Sequence, residues 1–372
     1  MHYHILLTEL CNSECKYCYK KSMQEFGESK LKEKFNFDFS DPVDFSVDIK
    51  KLKEFISKDE NATIIFYGGE PLLKIGKIKE IIDAIDVPFR MQTNGKLLNE
   101  LPIEYLNKID KILVSIDGDC ERTDYNRGEG TYDLVVKNLQ DARSRGYKGE
   151  IIARMTISPE FPDLYSQAIY LLDNEDFKFD SVHWQIDAGF YEHDFDKKKF
   201  TKFVKEYNKN VSKLIDYWVG EMSKGKFLKL YPFLDIVYDL LLERETKLRC
   251  GAGHSGYAIT TSGKVVACPI MNCIKEFEAG NLDFHFENLG KFEVSGECLK
   301  CDYLKLCGGR CLYWNKTILW PVEGNKLICD TIKHLIDELR ERIPEIKKLI
   351  EQRKVFMWDF KTERYFGPEI IP

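Results

Sequence analysis

In the first half of the chain, strand-like apolar runs alternate with stretches whose apolar residues have helical spacing. Short apolar runs rich in β-branched residues predict strands that are buried on both faces. Six segments are strand candidates, and several of them are runs of this kind: Tyr3–Leu7, Thr63–Tyr67, Phe89–Thr93, Ile112–Ile116, Glu150–Ile157 and Ser181–Ile186. The stretches between them carry apolar residues at helical spacing, for example Ile75, Ile78 and Ile82. The six strand–helix repeats predict an α/β fold, a partial (β/α)6 TIM-like barrel.

The pattern changes after residue 195. Phe195 to Met222 and Tyr231 to Leu242 have helical spacing and predict a helical connector. From Cys250 to Cys329 the chain is rich in loops and cysteines, which predicts a small, loop-rich domain. Within it, Ser262-Gly263 is a hairpin signal between two short strands, Tyr257–Thr261 and Lys264–Ala267.

The C-terminal residues complete a chain of four predicted domains. Asp330 to Arg353 again has helical spacing, interrupted at Pro344, and Phe356 to Pro372 predicts an extended tail. The expected boundaries are residues 1–195 for the barrel, 196–249 for the connector, 250–330 for the cysteine-rich domain and 331–372 for the C-terminal helices and tail.

Composition and charge exclude several classes of protein. The 372 residues carry a net charge of −6, whereas general nucleic-acid binders have a basic balance. No apolar run is long enough to span a membrane. The chain enters its first strand directly after Met1, so we expect no signal peptide and a cytoplasmic location. In that reducing compartment the twelve cysteines indicate clusters or metals rather than disulfides, and oxygen-sensitive clusters indicate an anaerobic setting.

The first cysteine group follows the first predicted strand. Cys11, Cys15 and Cys18 have the spacing Cys-x3-Cys-x2-Cys, which indicates metal or cluster ligands. Three ligands from one loop suit a four-iron cluster with one iron left open to an external ligand. Three unconnected buried thiols are the alternative.

Further motifs follow the other strands, and in barrels of this type the carboxyl ends of the strands form the active site. After the second strand, glycines permit close backbone approach and Glu70 can accept from an ammonium group, although a glycine-rich turn is the alternative. Arg154 lies within the fifth strand and needs a partner, either a bound carboxylate or a carboxylate of the barrel. The strand-end residues are Gly68, Gly69, Glu70, Pro71, Thr93, Asn94, Ser115 and Asp117.

Taken together, these motifs resemble those of the radical S-adenosylmethionine (SAM) enzymes. The resemblance implies that Cys11, Cys15 and Cys18 hold a [4Fe–4S] cluster whose open iron chelates SAM. It implies that the Gly-Gly-Glu-Pro motif holds the SAM amino group and that Tyr17 lies near the adenine. Further SAM contacts are implied for Thr93, Asn94, Ser115, Asp117 and Arg154. Arg127 also matches a family pattern, without an assigned role.

The later cysteines have a second, more specific spacing. They resemble the seven-cysteine SPASM extension of radical SAM enzymes, which holds two auxiliary [4Fe–4S] clusters. The resemblance implies a distal cluster on Cys298, Cys301, Cys307 and Cys329, and a proximal cluster on Cys250, Cys268 and Cys311. Some family members have a further cysteine where this chain has Gly256, so either Cys273 completes the proximal cluster or one iron is open. A zinc ribbon built on Cys298 and Cys301 is the alternative.

The resemblance implies a peptide- or protein-modifying enzyme with SAM and three [4Fe–4S] clusters. Reductive cleavage of SAM gives a 5′-deoxyadenosyl radical, which abstracts a substrate hydrogen and leads to a crosslink, an epimerisation or an oxidation. The implied partners are a peptide or protein substrate and an external low-potential electron donor of ferredoxin or flavodoxin type. The alternatives are an anaerobic sulfatase-maturing (formylglycine-generating) enzyme, a small-molecule radical SAM enzyme, and an iron–sulfur electron carrier or scaffold.

Two residues are candidates for catalysis. Cys120 follows the fourth strand and could give a hydrogen atom to a substrate radical, or be a small loop residue. We expect Asp119 and Glu121 to raise its pKa, which a hydrogen-atom donor tolerates because it works as the thiol. Asp187 ends the sixth strand, where it either faces the substrate or caps the next element. Because Cys11 is close to the start of the chain, we expect no N-terminal leader-binding domain and substrate recognition by other parts.

Overall fold

The computed structural model describes residues 1–19, 30–189 and 193–363. The chain divides into two compact units. Unit 1 comprises Met1–Ile152 and Gly251–Glu293, and unit 2 comprises Ala153–Cys250 and Val294–Pro372. Of the predicted tail, residues 364–372 lie outside the described residues.

Unit 1 is built on seven strands of a largely parallel sheet. Their order in the sheet is β4-β3-β2-β1-β7-β8-β9. The strands are β1 (His2–Leu6), β2 (Thr63–Tyr67), β3 (Phe89–Thr93), β4 (Ile109–Ser115), β7 (Gly256–Ile259), β8 (Lys264–Val266) and β9 (Glu278–Asn281). Pairing is parallel from β4 to β7, and antiparallel from β7 through β8 to β9. The predicted α/β class and the first four strands are confirmed, with β4 beginning before the predicted Ile112.

Strand β1 lies at the centre of this sheet, and four of its five residues are buried. Tyr3 and Ile5 are fully buried on one face and Leu6 on the other. In parallel register Leu6 pairs with Tyr67, so the segments that follow β1 and β2 leave the sheet side by side. The cysteine loop and the glycine-rich motif are therefore neighbours.

Within the described residues of unit 1, six α-helices connect or follow these strands. They are α1 (Lys30–Lys34), α2 (Ile49–Ile56), α3 (Ile75–Ala84), α4 (Ile103–Leu106), α5 (Cys120–Arg127) and α6 (Thr131–Ser144). Each amphipathic helix buries its apolar face: Leu52 and Phe55 in α2, and Ile78 and Ile81 in α3.

The hairpin predicted from Ser262-Gly263 is confirmed as β7 and β8. Strand β7 is also the parallel neighbour of β1, with His2 opposite Gly256 and Ile5 opposite Ile259. Strand β9 was not predicted, because Glu278–Asn281 is short and contains a glycine. Residues 251–293 therefore extend the sheet of unit 1.

Unit 2 combines two strands with long helices. Its elements are β5 (Glu150–Ile157, which begins in unit 1), β6 (Ser181–Ile186), α7 (Tyr165–Asp173), α8 (Lys197–Ser223), α9 (Tyr231–Leu242), α10 (Leu304–Cys307), α11 (Leu312–Thr317) and α12 (Val322–Glu351). Helices α8 and α12 pack against each other, and α9 packs against β6 and α12. The predicted strands and the two helices of the connector are confirmed within two residues.

The predicted interruption at Pro344 is wrong. Helix α12 runs unbroken through Pro344 for 30 residues. A proline inside a helix removes one backbone hydrogen bond. The buried residues continue on both sides of it, with Leu335 and Leu339 before and Ile346 and Leu349 after. This packing keeps the two halves of the helix collinear. The sequence pattern shows the hydrogen bond lost at Pro344 but not the packing on either side of it.

Among the described helices, none combines the length and the hydropathy that a membrane crossing requires.

Candidate active site

The three-cysteine loop begins after β1 and is held by the end of β3. The Asn94 amide Nδ2 lies 2.7 Å from Asn12 Oδ1, 3.2 Å from Ser13 Oγ and 3.8 Å from Cys11 Sγ. Cys11 is exposed, and Cys18 donates its backbone N–H to the Cys15 carbonyl at 3.1 Å. In the structure Asn94 positions the cysteine loop, and the SAM contact expected of it stays a prediction.

The three thiols of this loop influence one another. Desolvation raises the pKa of Cys11, and nearby Glu70, Cys15 and Cys18 raise it further, while the Ser13 backbone N–H lowers it. Thiols crowded in this way release their protons together only when a cation compensates the charge. The donor set therefore fits an iron–sulfur cluster.

Glu70 connects the segments that follow β2 and β3. It is 1% exposed. Its Oε1 accepts from the Leu72 backbone N–H at 3.0 Å and from Thr93 Oγ1 at 2.6 Å, and its Oε2 accepts from the Asn94 N–H at 2.8 Å. Burial raises the pKa of Glu70, and these three donors oppose the rise. A carboxylate has about four acceptor positions, so one more donor can be accommodated.

Gly68 and Gly69 pack against the start of the cysteine loop. Gly69 donates its N–H to the Thr8 carbonyl and Glu70 donates to the Leu10 carbonyl, both at 2.8 Å. Gly68 has a φ of +135°, and a Cβ on Gly69 would lie 2.0 Å from the Leu10 carbonyl oxygen. The close approach that the sequence predicted is made here to the protein's own backbone.

We expect Gly69→Ala to displace the cysteine loop, because the new Cβ can be placed only if the backbone of Leu10 moves. Overpacking of this kind costs about 1–3 kcal/mol. The control is Gly76→Ala in helix α3, where a Cβ has nothing within 4 Å and alanine stabilises by up to about 1 kcal/mol. Thermal unfolding and iron content measure both effects. Equal thermal stability and iron in the two variants would contradict the prediction.

A buried network joins the loop to the residues after β4. The Arg127 guanidinium binds Asp117 through two bonds, Nε to Oδ2 at 3.0 Å and Nη2 to Oδ1 at 2.9 Å. The Tyr17 hydroxyl also donates to Asp117, and Arg127 Nη1 lies 3.9 Å from Cys15 Sγ. Asp117 is fully buried and Arg127 is 7% exposed. Sequence reasoning gave Arg127 no role; its bidentate pairing positions both Asp117 and the loop.

The same network bears on the SAM contacts expected of Ser115 and Asp117. Asp117 already accepts from Arg127, Tyr17 and, at 3.3 Å, from Asn126. Ser115 ends β4 and is half-buried. The ribose and methionyl contacts expected of Ser115 and Asp117, and the adenine contact expected of Tyr17, stay predictions.

Arg154 and Asp187 lie in unit 2. Arg154 is 9% exposed, and its Nη2 donates to Gln185 Oε1 at 2.8 Å while Nη1 lies 3.4 Å from His183 Nδ1. Asp187 donates its backbone N–H to the Ile157 carbonyl at 2.8 Å. Arg154 thus contacts two side chains of β6, Gln185 and His183. Its contact with a SAM carboxylate and the role of Asp187 toward a substrate stay predictions.

Cys120 is exposed at the first residue of helix α5. Its Sγ lies 3.8 Å from Asp124 Oδ2. Desolvation raises the pKa of Cys120, and Asp124, Asp133 and Asp119 raise it further. The raised pKa of Cys120 and the contribution of Asp119 to it agree with the prediction. The role of Cys120 as a hydrogen-atom donor stays a prediction.

Four cysteines of unit 2 line one pocket. They are Cys298, Cys301, Cys307 and Cys329. We call this the distal pocket. Cys329 is on helix α12, whereas Cys307 ends helix α10. Burial raises the pKa of Cys307 to about 11. The structure thus brings together the set that the resemblance assigned to the distal cluster.

Asn315 and Arg249 fix the segments that carry these cysteines. Asn315 Nδ2 donates to the Ser295 carbonyl at 3.1 Å and lies 3.4 Å from Cys298 Sγ. Arg249 Nε donates to the Leu306 carbonyl at 3.1 Å, one residue before Cys307. Both residues were missed by the sequence reasoning, because isolated polar residues carry no spacing signal.

The remaining cysteines are divided between the units. Cys250 and Cys311 are in unit 2, and Cys268 and Cys273 are in unit 1. Cys311 is buried; desolvation raises its pKa, and backbone N–H groups of Trp314 and Tyr313 lower it. Cys273 is also buried; desolvation, with Glu9 and Asp41, raises its pKa to about 12. The proximal ligand set stays a prediction.

Across the described ranges, no three His, Cys, Asp or Glu side chains converge to hold a single metal ion. The ligands of a four-iron cluster bind different iron atoms, so they do not need to converge in that way. The zinc alternative for Cys298 and Cys301 requires four ligands around one ion. The cluster assignment and the zinc alternative for these cysteines both stay predictions.

Comparisons with known proteins agree with this chemistry. The family model of the Radical SAM superfamily matches residues 5–167. A cysteine-type anaerobic sulfatase-maturating enzyme from Clostridium novyi (strain NT) is 22% identical over 380 residues, which cover 92% of this chain and 96% of the relative. The radical SAM cyclopropyl synthase TigE from Paramaledivibacter caminithermalis is 24% identical over 393 residues, which cover 97% of this chain and 76% of TigE.

A solved structure shows the same fold. Native anSMEcpe with bound AdoMet and Cp18Cys peptide matches with a TM-score of 0.67 at 18% identity, covering 94% of this chain and 99% of that chain. The expected α/β partial barrel is therefore confirmed as the fold class.

Proposed function

Because the Radical SAM superfamily model matches residues 5–167 of this chain, we propose that the protein modifies a peptide or protein by abstracting a hydrogen atom from one residue. The observation that carries the proposal is the match to the sulfatase-maturating enzyme of Clostridium novyi along 92% of this chain and 96% of that enzyme. A match confined to the barrel would support only the superfamily.

The protein uses SAM and a [4Fe–4S] cluster, as members of its superfamily do. When bound, they supply the 5′-deoxyadenosyl radical that abstracts the substrate hydrogen. We propose that Cys11, Cys15 and Cys18 are the cluster ligands. Asn94 holds the loop that carries them, and the Asp117–Arg127 pair holds the other side near Cys15.

Glu70 is the proposed partner of the SAM ammonium group. Its three acceptor bonds fix both carboxylate oxygens, and its burial makes a further charge-assisted bond strong. Arg154 is the proposed partner of the SAM carboxylate. Its guanidinium is buried and contacts Gln185 Oε1 and His183 Nδ1.

We expect Glu70→Gln to weaken SAM binding about ten- to hundredfold, because a charge-assisted hydrogen bond contributes roughly 1.5–3 kcal/mol. Since burial raises the pKa of Glu70, wild-type affinity falls as pH decreases through that raised pKa, whereas the Gln variant shows no such dependence. Equilibrium binding of SAM from neutral to acidic pH measures both.

Glu54→Gln is the matched control, since Glu54 is exposed on helix α2 and the same charge is removed. Unchanged SAM affinity in Glu70→Gln would show that Glu70 serves only to hold the loop ends together.

Two auxiliary clusters complete the proposed cofactor set. The distal pocket supplies Cys298, Cys301, Cys307 and Cys329. Cys250, Cys268 and Cys311, with Cys273 or an open iron, are proposed for the proximal cluster. A low-potential donor of ferredoxin or flavodoxin type supplies the electrons.

Anaerobic sulfatase maturation is the second candidate function. It is favoured by the similarity to the Clostridium novyi enzyme and to native anSMEcpe. In this reaction a cysteine or serine of the target protein is oxidised to formylglycine. Cyclopropane formation, the reaction named for TigE, is an alternative outcome on a different peptide.

The test is an incubation of the anaerobically reconstituted protein with SAM, dithionite and the Cp18Cys peptide. We expect 5′-deoxyadenosine to form. An aldehyde in place of the cysteine thiol, detected by mass spectrometry, would assign sulfatase maturation. SAM cleavage without change to the peptide would favour another peptide substrate. Absence of 5′-deoxyadenosine from protein that retains its iron would overturn the proposed function.

A further inference from the structure

Arg310 is a buried cation inside the distal pocket. It is 2% exposed. It lines the pocket together with Cys298, Cys307 and Cys329. Within the described part of the chain, none of its three guanidinium nitrogens has a hydrogen-bond partner. A buried arginine is usually paired, because an unpaired buried charge is costly. Its donors therefore point to a group that the protein does not itself supply.

No carboxylate is among the described residues that line the distal pocket beside Arg310. Its guanidinium carbon lies 3.6 Å from the centre of the Trp314 ring, so one face is covered by an aromatic side chain. The charged or polar groups that act on it electrostatically are Cys329, Cys311, Cys307 and Cys298. Metal binding converts thiols into thiolates, and a four-iron cluster with four thiolates is an anion. Such a cluster is the complement of this guanidinium.

The backbone also directs Arg310 into the pocket. Its φ is +62°, in the left-handed region that bulky residues seldom adopt. The preceding residue, Gly309, has a φ of +90°, and a Cβ there would lie 2.4 Å from Val294 Cγ1. Conformations of this kind persist where the surroundings enforce them, often at functional sites. The turn between Cys307 and Cys311 therefore presents the Arg310 side chain to the cysteines on either side of it.

We propose that Arg310 donates hydrogen bonds to sulfur atoms of the cluster held by Cys298, Cys301, Cys307 and Cys329, and so raises its reduction potential. This inference rests on the proposed function, which places a cluster in the distal pocket. Reduction adds one electron from the low-potential donor; no covalent bond breaks and no proton moves. A cation stabilises the more negative reduced cluster more than the oxidised cluster. Arg310 is thus a positioning and tuning residue, since it acts on the cofactor through hydrogen bonds.

The experiment measures the midpoint potential of the distal cluster by electron paramagnetic resonance during a redox titration. The full chain carries Cys11→Ala, Cys15→Ala and Cys18→Ala, so that only auxiliary clusters contribute. The distal signal is the one that disappears when Cys298 and Cys301 are also replaced by alanine. Iron content is measured on every sample.

Three substitutions of Arg310 are compared with a matched control. Arg310→Met removes charge and donors, Arg310→Lys keeps the charge, and Arg310→Gln keeps donors without charge. Arg342→Met is the control, because Arg342 is paired with Asp216 at the surface of the same unit. We expect Arg310→Met to shift the reduction equilibrium about tenfold, which is about 59 mV toward negative potential for one electron. Arg310→Lys recovers part of the shift, and the control shows none.

The midpoint potentials and iron contents of these variants test the proposed role of Arg310. An unchanged potential in Arg310→Met with full iron would overturn the proposal, as would a shift of the same size in Arg342→Met. If Arg310→Met loses the distal cluster, Arg310→Gln carries the measurement, and an unchanged potential there overturns the proposal. If no signal or iron in the parent protein depends on Cys298 and Cys301, the auxiliary-cluster part of the proposed function fails first, and the role of Arg310 fails with it.

Discussion

Replacing Cys11, Cys15 and Cys18 with alanine is expected to abolish 5′-deoxyadenosine formation and to remove about a third of the bound iron. The three thiols are the proposed ligands of the SAM-binding cluster. If three [4Fe–4S] clusters are present, reconstituted protein holds about twelve iron atoms, so loss of one cluster removes about four. Iron analysis and chromatography of SAM products measure the two effects.

Two controls separate this result from general damage. Cys120→Ala removes an exposed thiol of the same unit and should leave iron content unchanged. Replacing Cys298, Cys301 and Cys307 should remove a different third of the iron. SAM cleavage by the variant without Cys11, Cys15 and Cys18 would exclude the radical SAM mechanism for this chain.

Arg249→Met is expected to destabilise unit 2 by about 3–5 kcal/mol, the usual cost of removing one partner from a buried ion pair. Arg249 is fully buried, and its Nη1 binds Asp235 and lies 3.0 Å from Asp239 Oδ2 on helix α9. Its Nε also donates to the Leu306 carbonyl. Methionine has a similar length and no charge, so two carboxylates lose their common partner. The midpoint of denaturant unfolding measures the loss.

The matched control is Arg340→Met on helix α12. Arg340 binds Asp337 at 2.6 Å, but both side chains are nearly half exposed, at 48% and 43%. An exposed pair contributes about 0–1 kcal/mol, so this variant should unfold close to wild type. Because Leu306 precedes Cys307, we also expect Arg249→Met to reduce the iron bound in the distal pocket. Similar stabilities of the two variants would show that the Arg249 pair carries little of the stability of unit 2.

The sequence by itself determined most of the strands and long helices, and it selected the cysteines that we propose as metal ligands. The apolar run Thr63–Tyr67 is a strand at the predicted bounds, because a strand buried on both faces favours an unbroken apolar run. Cysteine spacing selected Cys11, Cys15 and Cys18 as the proposed cluster ligands, since three ligands within one loop are fixed by local chain geometry. The four distal cysteines were likewise predicted as one set, and the structure places them around one pocket.

Only the tertiary structure decided which polar residues hold those ligands in place. Asn94 reaches the cysteine loop because β3 and β1 end at the same edge of a parallel sheet, although 82 positions separate Asn94 from Asn12. Residues 251–293 belong to the sheet of unit 1 because β7 pairs with β1 on the side that β2 does not occupy. No local sequence pattern predicts this pairing. The side chain of Arg310 is buried among cysteines by packing and a left-handed turn. Long-range contacts of this kind depend on which segments meet in space, and single-sequence periodicity reports only neighbours along the chain.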